Sequence, residues 1–101
     1  MFDKLLQVQQ QAEEIKKRLD NISVSGEAEG GKIKVKATGN KHITAIEIDG
    51  EFLKSADKEE LEELLAVAVN KALEQAENVH QSEMQAMSQS MLGGLGNLFG
   101  S

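Results

Sequence analysis

Apolar residues at the start of the chain recur with the period of an amphipathic helix. Their spacing alternates between three and four residues, which is the a/d pattern of a heptad seam. The seam consists of Leu5, Val8, Ala12, Ile15, Leu19 and Ile22. The pattern predicts a helix over residues 2–21, roughly 30 Å long at about 1.5 Å per residue. A seam this regular indicates that the helix packs against another helix along most of its length.

The period then changes from helical to alternating, which is typical of β-strands. A short strand is predicted over residues 22–25, ending at Gly26, and a second over residues 32–38. In the second strand, apolar residues occupy one face and lysines the other. A third strand is predicted over residues 42–49. The turns between the strands are short, so the three strands should form an antiparallel meander.

The third strand contains an irregularity. Ile43 is out of phase with Ile46 and Ile48, which share a face. One extra residue in the strand would account for the change of phase, so the pattern predicts a β-bulge near Thr44 and Ala45.

Beyond a connector over residues 50–56, a second helical pattern begins. Asp57 is predicted to cap this helix, with Glu60 as its capping-box partner. The apolar stripe consists of Leu61, Leu64, Leu65, Ala68, Ala72, Ala76 and Val79. The pattern has no breaker up to about Met91, which predicts roughly 50 Å of helix. The glycine-rich segment that follows predicts a mobile tail without helix.

These elements predict an α+β fold in which a helix, a three-stranded antiparallel meander and a long helix form one domain over residues 1–91. A flexible Gly/Leu-rich C-terminal tail occupies residues 92–101. A lone subunit would leave Leu5, Val8, Ile15 and Leu19, or the far end of the second helix, exposed, so a homodimer is expected. The alternative is that the helices cover each other within one chain. The candidate dimer or helix-packing residues are Leu5, Val8, Ala12, Ile15, Leu19, Leu65, Ala68 and Ala72.

Charge is unevenly distributed along the chain. The formal net charge is −6, but residues 1–45 hold eight Lys/Arg and six Asp/Glu, and residues 46–101 hold three Lys and eleven Asp/Glu. A polyanion would therefore bind the first half of the chain more readily than the second half. The candidate DNA-binding residues are Lys16, Lys17, Arg18, Lys32, Lys34, Lys36 and Lys41.

Two interpretations of these cations are open. There is one Arg and no aromatic interleaving, so any binding should be directed to duplex phosphates with low sequence specificity. The competing interpretation is a solvated lysine face that protects a sheet edge from aggregation, which is the commoner meaning of a charge run.

The sequence gives little support for catalysis, cofactor binding or metal binding. The chain has no Cys, and its two His lack a catalytic constellation, so neither an enzyme nor a cofactor is predicted. Glu77 and His80 match the Glu-x-x-His spacing of helical metal sites, but one isolated copy does not predict a metal. Met84, Met87 and Met91 are interpreted as helix packing rather than an adaptable binding groove. No apolar run is long enough for a signal peptide or a membrane span.

The features occur in the order that is typical of one known protein family. A Gln-rich helix leads into residues 24–35, Gly39, residues 46–49 and residues 61–72. This combination resembles the YbaB/EbfC family of bacterial nucleoid-associated proteins, over about residues 2–91. The resemblance implies a tweezers-like homodimer that binds duplex DNA in the cytoplasm, at the nucleoid, and that organises the chromosome or regulates gene expression.

An alternative function also remains. The long helices could grip another protein in an adaptor role that does not involve DNA, with the C-terminal helix or tail as the contact. The acidic second half and the Met stripe favour this alternative.

Overall fold

The computed structural model describes the backbone of residues 2–99 and the side chains of residues 9–89. Its elements, in chain order, are α1 (Phe2–Asp20), β1 (Ser23–Ala28), β2 (Ile33–Thr38), β3 (Ile43–Ile48), α2 (Gly50–Ser55) and α3 (Lys58–Phe99). The predicted α+β class, with a helix, an antiparallel meander and a long helix, is confirmed.

The short helix α2 lies in the segment that was predicted as a connector. It begins after Asp49, whose carboxylate accepts a hydrogen bond from the Phe52 backbone N–H at 3.0 Å. A side-chain oxygen at this position satisfies a helical N–H that has no partner within the helix. The long helix α3 begins at Lys58, directly after Asp57 as predicted, and the Asp57 backbone carbonyl accepts a hydrogen bond from the Leu61 N–H at 2.9 Å. The predicted capping box is wrong, since neither the Asp57 nor the Glu60 side chain forms a hydrogen bond with a backbone N–H among residues 9–89.

The sheet has the order β1-β2-β3, and both strand pairs are antiparallel. On the face of β2 that packs against α3, Ile33, Val35 and Ala37 are fully buried. The predicted bulge is confirmed: Lys36 pairs with Ala45 and Ala37 with Ile43, so Thr44 is the extra residue. Because directly paired residues share a face, the bulge brings Ile43 onto the same face as Ile46 and Ile48.

Strand β1 continues through Gly26 to Ala28, so the prediction that it ends at Gly26 is wrong. The glycine serves close packing rather than a turn. A Cβ at this position would collide with the backbone carbonyl oxygen of Ala68 and the backbone nitrogen of Ala72, both in α3. A glycine inside a strand often marks such a close approach of another backbone.

The core lies between α3 and the inner face of the sheet. Ala68 and Ala72, both candidates for dimer or helix packing, are fully buried against the sheet of the same chain, and Leu65 is partly buried against the same cluster. Phe52 of α2 completes the cluster. Small side chains on α3 let its backbone lie directly on β1, which is why the core contains alanines where larger residues are usual.

Helix α1 packs against α3 of the same chain near the end of the sheet. Ile15 and Leu19 are buried, so the expectation that a lone subunit leaves them exposed is wrong. The alternative, in which the helices cover each other, holds for this part of the seam. Ala12 is exposed, and the side chains of Leu5 and Val8 lie outside the described part of the structure.

Helix α3 runs beyond its predicted end at Met91 and includes residues 92–99. The expectation that glycines prevent a helix there is wrong, since each glycine costs only about 1 kcal/mol relative to alanine. The mobility of this segment stays a prediction. The long helix makes the molecule elongated, with extents of 66 × 24 × 17 Å. Among the described residues, no helix combines the length and apolar character needed to cross a membrane.

Candidate nucleic-acid interface

Three candidate residues lie in or beside one strand. The sheet lysines are Lys32, Lys34 and Lys36. Lys34 and Lys36 alternate with the buried residues of β2 and so lie on the face away from α3, whereas Lys32 directly precedes β2. Lys34 pairs in register with Glu27 of β1 and Glu47 of β3. Lys34 Nζ lies 3.9 Å from Glu27 Oε1, and Lys36 Nζ lies 3.3 Å from Glu47 Oε1. The sheet face therefore carries both signs of charge.

Lys32 differs from the other two sheet lysines. Its Nζ lies 5.6 Å from the centroid of the Phe52 ring, which is within the range of a cation–π contact. It has no ion-pair partner among residues 9–89. Lys32 is exposed, and its ammonium lies beside the buried Phe52 ring just before β2 begins.

The other four candidates meet where the end of α1 contacts the turn between β2 and β3. These junction cations are Lys16, Lys17, Arg18 and Lys41. The Gly39 backbone N–H donates a hydrogen bond to the Leu19 carbonyl at 2.9 Å, and Asn40 Nδ2 donates to the Lys16 carbonyl at 2.9 Å. A Cβ at Gly39 would press into the Leu19 side chain. The turn is therefore fixed against the last turn of α1.

Two junction cations form ion pairs with glutamates of α3. Arg18 Nη1 lies 3.4 Å from Glu83 Oε2, and Lys41 Nζ is in direct contact with Glu77 Oε2. The hydrogen bond and the charge of Lys41 hold the pKa of Glu77 below its ordinary value. Glu77 is therefore ionised at neutral pH.

Lys16 and Lys17 have a different environment. Both are exposed, and neither has an acidic partner within ion-pair distance in the part of the chain whose side chains are described. They are the junction cations that form no ion pair among residues 9–89.

The structure thus divides the predicted cations into two groups. Lys41, which the sequence placed near the sheet lysines, lies with the α1 cations instead. The sequence interpretation also missed the acidic partners. Glu27 and Glu47 could have been found from the pairing of adjacent strands, whereas Glu77 and Glu83 reach their cations only when the turn and α1 pack against α3.

The Glu77 carboxylate, which belongs to the Glu-x-x-His match, contacts other side chains. Besides its contact with Lys41, Glu77 accepts a hydrogen bond from Gln81 Nε2 at 3.2 Å. Within the described range, no three His, Asp or Glu side chains are grouped closely enough to hold a metal ion. Met84 and Met87 line an open cleft beside Ile15, and the Met91 side chain lies outside the described residues.

Comparison with known proteins identifies a family whose model matches this chain. The model of the YbaB/EbfC DNA-binding family matches residues 1–91. A nucleoid-associated protein of Flavobacterium johnsoniae is 37% identical over 102 residues, covering 98% of this chain and 94% of that protein. A nucleoid-associated protein of Caldanaerobacter subterraneus subsp. tengcongensis is 42% identical over 81 residues, covering 77% of this chain and 73% of that protein.

A solved structure has the same fold. The crystal structure of an uncharacterized protein from Helicobacter pylori superposes with a TM-score of 0.68 and 19% sequence identity. The match covers 82% of this chain and 96% of that one. At this level of identity, the similarity concerns the fold alone.

Proposed function

Because the chain belongs to the YbaB/EbfC DNA-binding family, we propose that it binds duplex DNA mainly through phosphates, with low sequence specificity, as a cytoplasmic protein associated with the nucleoid. Its role is to organise the nucleoid or to regulate gene expression. The family match over residues 1–91 carries the proposal, and the exposed cations of the sheet and the junction support it.

The chemistry of the seven candidate cations supports phosphate contacts over base reading. Six of them are lysines, which bind phosphate as compact point charges. Arg18 is the single residue able to read guanine with a bidentate fork, and it is paired with Glu83. Contacts to phosphates fix the position of a protein on the duplex but carry little sequence information.

A gel shift with duplex DNA at two or more salt concentrations tests the proposal. Phosphate binding releases condensed counterions, so log K should fall linearly with log salt, with a slope of roughly −0.9 for each neutralised phosphate. Duplexes of unrelated sequence should bind with similar affinity. Absence of binding to any duplex at low salt would contradict the proposal and favour the alternative of a protein-interaction adaptor.

Reversing the charge of the sheet lysines tests whether the sheet contacts DNA. Replacing Lys32, Lys34 and Lys36 with Glu should abolish binding, since phosphates would then face like charge. The matched comparison is K34E/K36E against K54E/K58E, which changes the same number of charges at exposed lysines of α2 and α3. Equal losses for the two pairs would place the contact away from the sheet.

We also propose that the functional form is a tweezers-like homodimer. Helix α3 covers mainly β1 and β2, and the inner face of β3 extends beyond it. Ile46 on that face is 49% exposed, Leu53 of α2 is 49% exposed, and Val67 of α3 is 42% exposed. A second copy would cover apolar residues of this kind and would double the number of cations that face DNA.

Sedimentation at micromolar concentration tests the dimer. The wild-type chain should have twice the mass of one subunit. Ile46→Glu should shift the mass towards one subunit, because it places a charge in an apolar interface, whereas Thr44→Glu at the exposed bulge should leave the mass unchanged. A wild-type chain that is folded and monomeric would contradict the proposal.

A further inference from the structure

We propose that Glu77 and Glu83 of α3 compete with DNA phosphate for Lys41 and Arg18, so that two junction cations are held in an autoinhibitory ion-pair contact within the chain. The inference rests on the proposed function, because it names a regulatory element of the same DNA-binding surface. It assigns a role to the acidic second half of the chain, which the proposed function leaves unexplained.

The geometry brings each carboxylate to a cation from a distant segment. Glu83 meets Arg18 of α1, and Glu77 meets Lys41 of the turn between β2 and β3. Both pairs form because α1 and the turn pack together against one side of α3. The Arg18 side chain is 70% exposed and that of Lys41 is 50% exposed, so an approaching phosphate can reach either cation from the solvent side.

A carboxylate and a phosphate bind a cation in the same way, through charge-assisted hydrogen bonds. A lysine or arginine that is paired with a carboxylate therefore attracts a phosphate less strongly. Breaking an exposed ion pair of this kind changes an equilibrium by roughly 1.5- to fivefold. DNA binding must break or weaken both pairs before Lys41 and Arg18 can contribute fully.

The pairs are not needed to hold the junction together. Leu19 and Ile15 are buried beneath it, and backbone hydrogen bonds join the turn to the end of α1. Replacing the glutamates with glutamine, which has the same shape, should therefore keep the fold. Circular dichroism and thermal melting of each variant check this.

The test compares DNA affinity by fluorescence anisotropy at one low salt concentration. E77Q/E83Q should bind a duplex roughly 2- to 25-fold more tightly than the control E63Q/E74Q. The control removes the same charge from exposed positions on α3 that have no ion-pair partner within residues 9–89. The single variants E77Q and E83Q should each show a smaller gain, so the test does not depend on the double variant folding.

A double-mutant cycle separates local competition from a general effect of charge. The gain from E77Q should vanish when Lys41 is replaced with Gln, because no cation is then released. If E77Q/E83Q equals its control, or if the gain persists in the K41Q background, the inference is wrong while the proposed function stands. If no variant and no wild-type protein binds DNA, the proposed function fails and the inference fails with it.

Discussion

The sheet lysines and the junction cations carry the same kind of charge in two different settings. On the sheet, Lys34 and Lys36 are paired with Glu27 and Glu47 on adjacent strands. At the junction, the acidic partners come from α3, and Lys16 and Lys17 have none among the described residues. The degree of compensation at each lysine therefore depends on which element lies beside it rather than on the local run of charges.

The two settings also differ in what holds them in place. Strand register fixes Lys34 and Lys36, since neighbouring strands are connected by short turns and paired by backbone hydrogen bonds. The junction depends on side-chain packing, above all that of Leu19 against Gly39. A packed junction can be loosened by a single substitution, whereas the sheet lysines would keep their positions.

The largest expected effect is on the packing of the junction. Leu19→Ala should lower the free energy of unfolding by about 2–5 kcal/mol, because it leaves a cavity beneath α1 and the turn. The control is Lys54→Ala at an exposed position of α2, where a change of no more than about 0.5 kcal/mol is expected. Chemical denaturation measures both, and equal losses would show that the junction is not held by Leu19.

A second prediction compares Lys16 and Lys17, which form no ion pair among residues 9–89, with the paired lysines Lys34 and Lys36. K16Q/K17Q should weaken DNA binding more than K34Q/K36Q, because the latter pair is already partly neutralised by glutamates. Each lost phosphate contact lowers the salt slope by about 0.9, which corresponds to roughly eightfold in affinity at 0.1 M salt. Salt-dependent anisotropy gives both quantities, and a larger loss for K34Q/K36Q would reverse the ranking of the two regions.

The smallest expected effect concerns the polar link at the junction. Asn40→Ala removes the hydrogen bonds that Nδ2 donates to the Lys16 carbonyl and to the Asp20 carboxylate, so it should lower the free energy of unfolding by about 1 kcal/mol. The exposed Asn78→Ala in α3 is the control. A thermal melt is sufficient to detect the difference, and an unchanged melting temperature for Asn40→Ala would mean that backbone hydrogen bonds alone hold the turn.

Much of the fold could be predicted because it follows from local periodicity. The change from a helical to an alternating pattern located all three strands, and the phase of Ile43 located the bulge. Glycine was the weak point: Gly26 was interpreted as the end of a strand, and the last glycines as the end of helical structure. In both cases glycine was compatible with two backbone conformations, and the neighbouring residues in the sequence did not determine which of the two forms.

The candidate site could be predicted only in part. The sequence by itself determined which residues are charged and which face of β2 carries lysines, because a strand alternates its side chains with a period of two. Only the tertiary structure decided that Lys41 lies with α1, that Leu19 is buried within one chain, and that Glu77 and Glu83 pair with junction cations. These contacts join segments far apart in sequence, and their existence depends on how α1 and the turn pack against α3, a geometry that no local pattern encodes.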